Sequence, residues 1–169
     1  MTTITLTKME QELAVLIAKE RHFSNRRAGN KLIEMPNMDA IAADILGVES
    51  EMAVYKMLGL YPENIFDVTP RSVTKGEDNG DVQYNGKNID VKSTTHHSGT
   101  LLATKANPNV DVLILMTGKD GEYVCRGGTT AKEMYKQERY GDNNGKFKYP
   151  CFYMIQSELV DYKKLLDIT

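Results

Sequence analysis

The strongest constraint on how this chain can fold is a turn signal, Asn85-Gly86, set between two runs of alternating apolar and polar residues, 81–84 and 87–93. Asn-Gly accepts positive φ at both positions of a type I′ turn, and the twist of that turn matches two antiparallel strands. A two-residue turn also fixes the register. Tyr84 then faces Lys87, Gln83 faces Asn88, Val82 faces Ile89 and Asp81 faces Asp90. Side chains alternate along a strand. One face of the hairpin therefore carries Val82, Ile89 and Val91 with Tyr84, a core side. The other carries Asp81, Gln83, Asn88, Asp90 and Lys92.

That polar face places two carboxylates opposite each other. Directly opposed residues have β-carbons roughly 5 Å apart, where like charges are destabilising. Two readings follow. In one, Asp81 and Asp90 are solvated strand residues whose charge Lys92 offsets. In the other, a divalent cation between them reverses the sign of the interaction. Mg²⁺ or Mn²⁺ suits such a place, because both prefer oxygen ligands and retain waters. Lys92 lies one strand repeat beyond Asp90, so its amine reaches the same space. There it could hold an attacking water or balance charge developing on a phosphate.

Around the hairpin, the pattern calls for helices first and a sheet afterwards. Residues 8–19 read as a helix with Met9, Leu13, Leu16 and Ile17 on one side. Residues 23–36 are polar and basic, a loop or short helix. Residues 39–58 form a second helical region with the stripe Ile41, Ile45, Val48, Met52 and Tyr55, stopped at Gly59. A candidate strand at 65–68 ends before Pro70, and 71–79 is turn-rich. Residues 100–104 are extended. Residues 110–116 are nearly all apolar, as in a strand buried on both faces. Residues 122–126 form its neighbour after a turn at 119–121. Then come a helix over 130–139, a loop over 141–145, a strand over 152–155, and a last helix capped by Ser157 and ending near Leu166. This order predicts an α/β (α+β) fold with a central mixed sheet flanked by helices. At 169 residues, the length predicts one domain.

The hairpin residues resemble something known. Asp81, then eight residues, then Asp90-Val91-Lys92 is similar to the core motif of the PD-(D/E)xK nuclease superfamily, with Gly80 where the motif has proline. The stretches GVESEMAVYKMLGLYPE, GDVQYNGKNIDVKSTTHHSGTLLATK and VDVLILMTG, then YVCRGGTTAKEM and MIQSEL, resemble small standalone nuclease-fold proteins common in bacteriophage genomes. The resemblance spans about residues 38–159. It implies a restriction-endonuclease-like αβββαβ core, a single nuclease-like domain over 1–169, and an N-terminal helical extension over about 1–37.

In function, the resemblance implies a Mg²⁺- or Mn²⁺-dependent deoxyribonuclease, an endonuclease that hydrolyses phosphodiester bonds with a metal-activated water. Asp81 and Asp90 would bind metal, the Val91 backbone carbonyl would add a ligand, and Lys92 would position the water. An acid from the helix before the hairpin would complete the shell: Glu51, with Glu49 as the fallback. Two other readings keep the fold. One is a catalytically silent module that binds DNA or protein. The other is a junction resolvase, which would need a homodimer for paired nicks.

The remaining signals bear on partners. Net charge is -2, which does not advertise nucleic-acid binding, but a whole-chain sum hides local patches. Arg21, Arg26 and Arg27 in the basic 19–31 stretch, and Lys105 beyond the hairpin, are candidate phosphate contacts, with solvated basic residues as the alternative. His96-His97 would point opposite ways on a strand and cannot readily share an ion. Gly127-Gly128 reads as a turn. The apolar runs, 112–116 among them, are too short to span a bilayer, and no signal peptide is read at the N-terminus. The expectation is a cytoplasmic protein, in the host cell if phage-encoded, with Cys125 and Cys151 as reduced thiols.

Overall fold

The computed structural model describes residues 1–28, 39–60 and 79–168. The candidate strand at 65–68, most of the turn-rich 71–79 stretch and the end of the basic region lie outside the described residues. The protein is mixed α/β. Strands β1 (Thr2–Thr5), β2 (Val82–Tyr84), β3 (Lys87–Thr94), β5 (Val112–Lys119) and β6 (Glu122–Thr130) make a five-stranded sheet in the order β1-β6-β5-β3-β2. Strands β4 (Leu101–Ala103), β7 (Tyr140–Gly141) and β8 (Cys151–Met154) make a second sheet, ordered β4-β8-β7. β3 and β5 run parallel, and the other pairs of the main sheet are antiparallel.

The Asn85-Gly86 hairpin forms with the expected register, Val82↔Ile89, Gln83↔Asn88 and Tyr84↔Lys87. Both turn residues have positive φ, 49° and 71°. β5 lies in the middle of the sheet, and Val112–Thr117 are buried without interruption. The alternation of side chains divides them between two cores. Val112, Ile114 and Met116 pack with helices α1 (Lys8–Arg27) and α2 (Ala40–Met57) on one face. Leu113 and Leu115 pack with Leu101, Met134 and Met154 on the other, beneath the small sheet. A strand covered on both faces needs no polar alternation, which is why this run reads as continuous apolar sequence.

Helix α2 is bounded as the sequence indicates. Asp39 caps its first turn through Ile41 N–H, and Leu58 ends it before Gly59 turns at a φ of 66°. Every residue from Val48 to Tyr55 is buried. The helix is therefore not an amphipathic stripe on a surface but a core element covered on most sides. Among the described residues, no helix is long and apolar enough to cross a membrane. Cys125 and Cys151 are buried and unbridged.

Several expectations change. The N-terminal region adds a strand before its helix: it starts with β1, which pairs with β6 as an edge strand, and α1 packs on α2 within the larger core. Thr7 ends the strand run and forms a capping box with Glu10, so the helix begins at Lys8, and it continues through Arg27. Gly127-Gly128 is not a turn: both glycines pair with β5 inside β6, next to a bulge at Arg126, where the register shifts between Leu115 and Met116. The helix expected over 130–139 is one turn, α3 (Ala131–Met134), followed by a 3-10 turn at Gln137–Arg139, because Lys136 is extended at ψ 141°. Ser157 sits in a 3-10 turn, and Asp161 caps the short α4 (Tyr162–Leu165) instead. The crossover from β3 to the parallel β5 carries the short strand β4.

Candidate active site

Strand β2 stops short, and what replaces it defines the site. The ladder between β2 and β3 ends at Val82↔Ile89. Asp81 therefore does not face Asp90 as a regular ladder pair, as the sequence register suggests. Its N–H bends back to the Ile89 carbonyl at 2.8 Å, and its side-chain Oδ2 accepts the Val91 N–H at 2.8 Å. The carboxylate thus takes the backbone donor that a longer strand would have used. Ile89 and Val91 direct their backbone groups to the same edge, so the Val91 carbonyl opens onto the place where β2 has ended.

Gly80 makes that bend. Its φ is 78°, and a β-carbon there would lie 2.6 Å from the Ile89 carbonyl oxygen. Proline, locked near φ −65°, cannot take this conformation. The departure from the proline of the motif therefore has a structural consequence in this chain: the approach to Asp81 is left-handed.

The Asp81 carboxylate lies close enough to Asp90 to oppose its ionisation. Lys92 Nζ is 2.8 Å from Asp90 Oδ1, and the Asp90 side chain is only 14% exposed. Burial pushes the Asp90 carboxyl up to about 6; Lys92 pulls it down and Asp81 pushes it up. Even with an ammonium in contact, a second negative charge in this gap is disfavoured. Asp90 and Lys92 share a face with Leu113 and Leu115 of β5, the face that the small sheet covers.

Helix α2 supplies two buried acids, and they go to different places. Residues two apart on a helix point roughly 200° away from each other. Glu49 Oε2 accepts the Tyr123 hydroxyl at 2.5 Å and the Gly121 N–H at 3.4 Å, at the turn between β5 and β6. Burial and this carboxylate drive the Tyr123 phenol well above its usual range. Glu49, the fallback acid, is thereby committed to the other hairpin. Glu51 Oε2 accepts Arg21 Nη1 at 2.7 Å. Tyr55, one turn further on the same flank, donates its hydroxyl to the Asp81 carbonyl at 3.1 Å. The Glu51 side of α2 is thus the side that meets Asp81.

Of the residues singled out from the sequence, Asp81, Asp90, Lys92 and the Val91 backbone converge, whereas Glu51 belongs to α2, which packs on the opposite face of the sheet from Asp90 and Lys92, and it is paired with Arg21. Arg21 does not lie free for a phosphate: it is 17% exposed and paired with Glu51. Arg26 and Arg27 are exposed in the last turn of α1, where they favour the helix terminus, and Lys105 is exposed beyond β4. Among the described residues, no group of three His, Cys, Asp or Glu side chains is placed to hold a metal ion. Sequence reasoning missed Tyr55, whose signal was its position one turn after Glu51, and it missed the conformational demand at Gly80. Compared with protein-family models, curated proteins and solved structures, the chain matches none.

Proposed function

We propose that this protein is a metal-dependent DNA endonuclease of the PD-(D/E)xK kind, with a restriction-endonuclease-like core built on α2, the β2–β3 hairpin and β5. One observation carries the reading: Asp81 and Asp90 meet at the end of a truncated strand with the Lys92 amine in contact, and Asp90 resists ionisation there. Burying two carboxylates close together is unfavourable for the hairpin itself. An oxygen-only donor set of two carboxylates and a backbone carbonyl fits Mg²⁺ or Mn²⁺, which bind through one or two carboxylates and keep several waters. When bound, such an ion supplies Lewis-acid charge and an activated water for attack on a phosphodiester.

The chain's own residues do the rest. Asp81 is oriented by the Val91 N–H and by the Tyr55 hydroxyl on its carbonyl, so it presents one carboxylate oxygen to the gap. Asp90 would hold the cation as a carboxylate, and the Lys92 amine, 2.8 Å from Asp90 Oδ1, would set its charge beside the phosphate or the water. Glu51 joins the shell only by exchanging Arg21 for it, which links α1 to the site.

Incubation of wild type and Asp90→Ala with plasmid, linear and branched DNA in Mg²⁺ or Mn²⁺ tests the proposal. Cleavage by wild type alone supports it; equal cleavage by the variant, or none by either, removes it.

A second reading has its own observation. Lys92 neutralises Asp90 and Arg21 neutralises Glu51 without any cation, as in a nuclease fold retained as a DNA- or protein-binding module. Calorimetric titration with Mn²⁺ separates the two, since the module shows no binding at millimolar metal. The junction-resolvase variant of the first reading requires a homodimer, which light scattering during size exclusion reports.

A further inference from the structure

Two stretches of the chain, 91–110 and 143–157, hold none of its 23 acidic residues. Far apart in sequence, they meet in the small sheet, where β4 of the first pairs with β8 of the second from Leu101↔Met154 to Ala103↔Phe152. Leu101, Ala103 and Met154 turn inward to the second core. The facing pair Leu102↔Tyr153 therefore points outward. Phe147 packs on Tyr153 with ring centroids 5.5 Å apart. Beside them Tyr149 is 67% exposed, with the Lys148 ammonium 5.3 Å from its ring centroid. Lys146 and Lys105 are exposed on the same two stretches.

This surface adjoins the candidate active site. The turn after β3, the strand of Asp90 and Lys92, leads directly into β4. The Gln156 side chain closes that turn onto the segment after β8 by donating to the His97 and Gly99 carbonyls at 2.8 and 2.9 Å. The exposed Tyr149 and the half-buried Phe147 and Tyr153 beside lysines, with no acid in either stretch, combine a stacking platform with a local positive field inside a chain of net charge -2. That is the recognition chemistry of an unpaired nucleic-acid strand, whose bases offer π-faces and whose phosphates offer charge. A paired duplex buries its bases and cannot use the rings.

We propose that the outer face of the small sheet binds single-stranded DNA, stacking bases on Tyr149 and the Phe147–Tyr153 pair and holding phosphates with Lys105, Lys146 and Lys148. The substrate of the neighbouring carboxylate site is then DNA carrying an unpaired strand. This last step rests on the nuclease reading, whereas strand binding by itself does not.

The test is fluorescence anisotropy in EDTA with a labelled oligodeoxythymidine of about 15 nucleotides, a length suited to a single binding face. A duplex of the same length and phosphatidylserine vesicles serve as competitors. The variants are the double substitution Tyr149→Ala with Lys148→Ala and the conservative Tyr149→Phe, all at exposed positions, with circular dichroism melts to confirm folding. The expected result is that the single strand outcompetes duplex and vesicles. The double variant should bind it at least about tenfold more weakly, while Tyr149→Phe keeps the ring and most of the affinity. Removing Lys148 should also lower the salt dependence by about one ion. Preference for duplex, preference for vesicles, or unchanged affinity in the double variant overturns the inference. Because EDTA stops cleavage, strand binding without any nuclease activity in Mg²⁺ or Mn²⁺ would sink the proposed reaction and leave this surface standing. Cleavage that persists while strand binding ignores both substitutions would do the reverse.

Discussion

The β2–β3 hairpin turns at Asn85-Gly86 with φ of 49° and 71°, and the β5–β6 hairpin turns at Asp120-Gly121 with φ of 53° and 79°. From these near-identical turns the two diverge. β5 and β6 stay paired from Lys119↔Glu122 back to Val112↔Thr130, with one bulge, and β5 is buried on both faces. β2 and β3 share only three residue pairs before a carboxylate takes over from the backbone. Each hairpin also sits near one acid of α2. Glu49 has two donors at the β5–β6 turn. Asp90 has one ammonium and a second carboxylate. One hairpin satisfies its buried carboxylate with hydrogen-bond donors, and the other keeps two carboxylates close together, the place where the proposed reaction sits.

The contrast can be broken most sharply at Asp90. Asp90→Asn should abolish nuclease activity, a loss of about a thousandfold or more if the carboxylate holds the ion, as read from plasmid cleavage in Mn²⁺. In the stability-bearing hairpin, Ile114→Ala removes a fully buried side chain from β5 and should cost about 3 kcal/mol in denaturant unfolding.

The pH dependence of metal-free protein then tests the charge conflict itself. The Asp90 carboxyl titrates near 6 when folded, against an ordinary 3.8. A raised carboxyl favours the protonated folded state, so its contribution is present in full below about pH 4 and is lost as pH rises through about 6. Unfolding in EDTA should show wild type losing on the order of 2 kcal/mol across that window, and Asp90→Asn should flatten the loss. A variant no more stable than wild type at pH 8 would mean that the site holds no such conflict.

Two smaller effects sharpen the comparison. Tyr123→Phe takes the hydroxyl from buried Glu49 and should cost about 2 kcal/mol, with cleavage unaffected. Gly80→Ala forces a side chain into positive φ against the Ile89 carbonyl. It should cost roughly 1–2 kcal/mol and, unlike Tyr123→Phe, reduce cleavage by moving Asp81.

How much of this was legible in the sequence varies with the range of the interaction. The Asn-Gly turn, the polar face with Asp81, Asp90 and Lys92, the extent of α2 and the buried run of β5 follow from turn chemistry and periodicity, which act over a few residues. The N-terminal strand was not legible: Thr2–Thr5 is short, and its partner Glu122–Cys125 lies more than a hundred residues away. Gly127-Gly128 looks like a turn because glycine pairs usually mark one, and only its pairing with Leu115 and Ile114 of β5 and with Val160 puts it inside a strand.

The candidate site divides in the same way. The sequence by itself determined which side chains could share a face of the hairpin, because strand alternation and a two-residue turn leave no freedom in that choice. The tertiary structure alone decided that Arg21 belongs to Glu51 rather than to a phosphate, that Glu49 turns away to Tyr123, and that two acid-free stretches become one surface. Those outcomes depend on which buried charges find partners when distant elements pack, and neither periodicity nor spacing encodes that pairing.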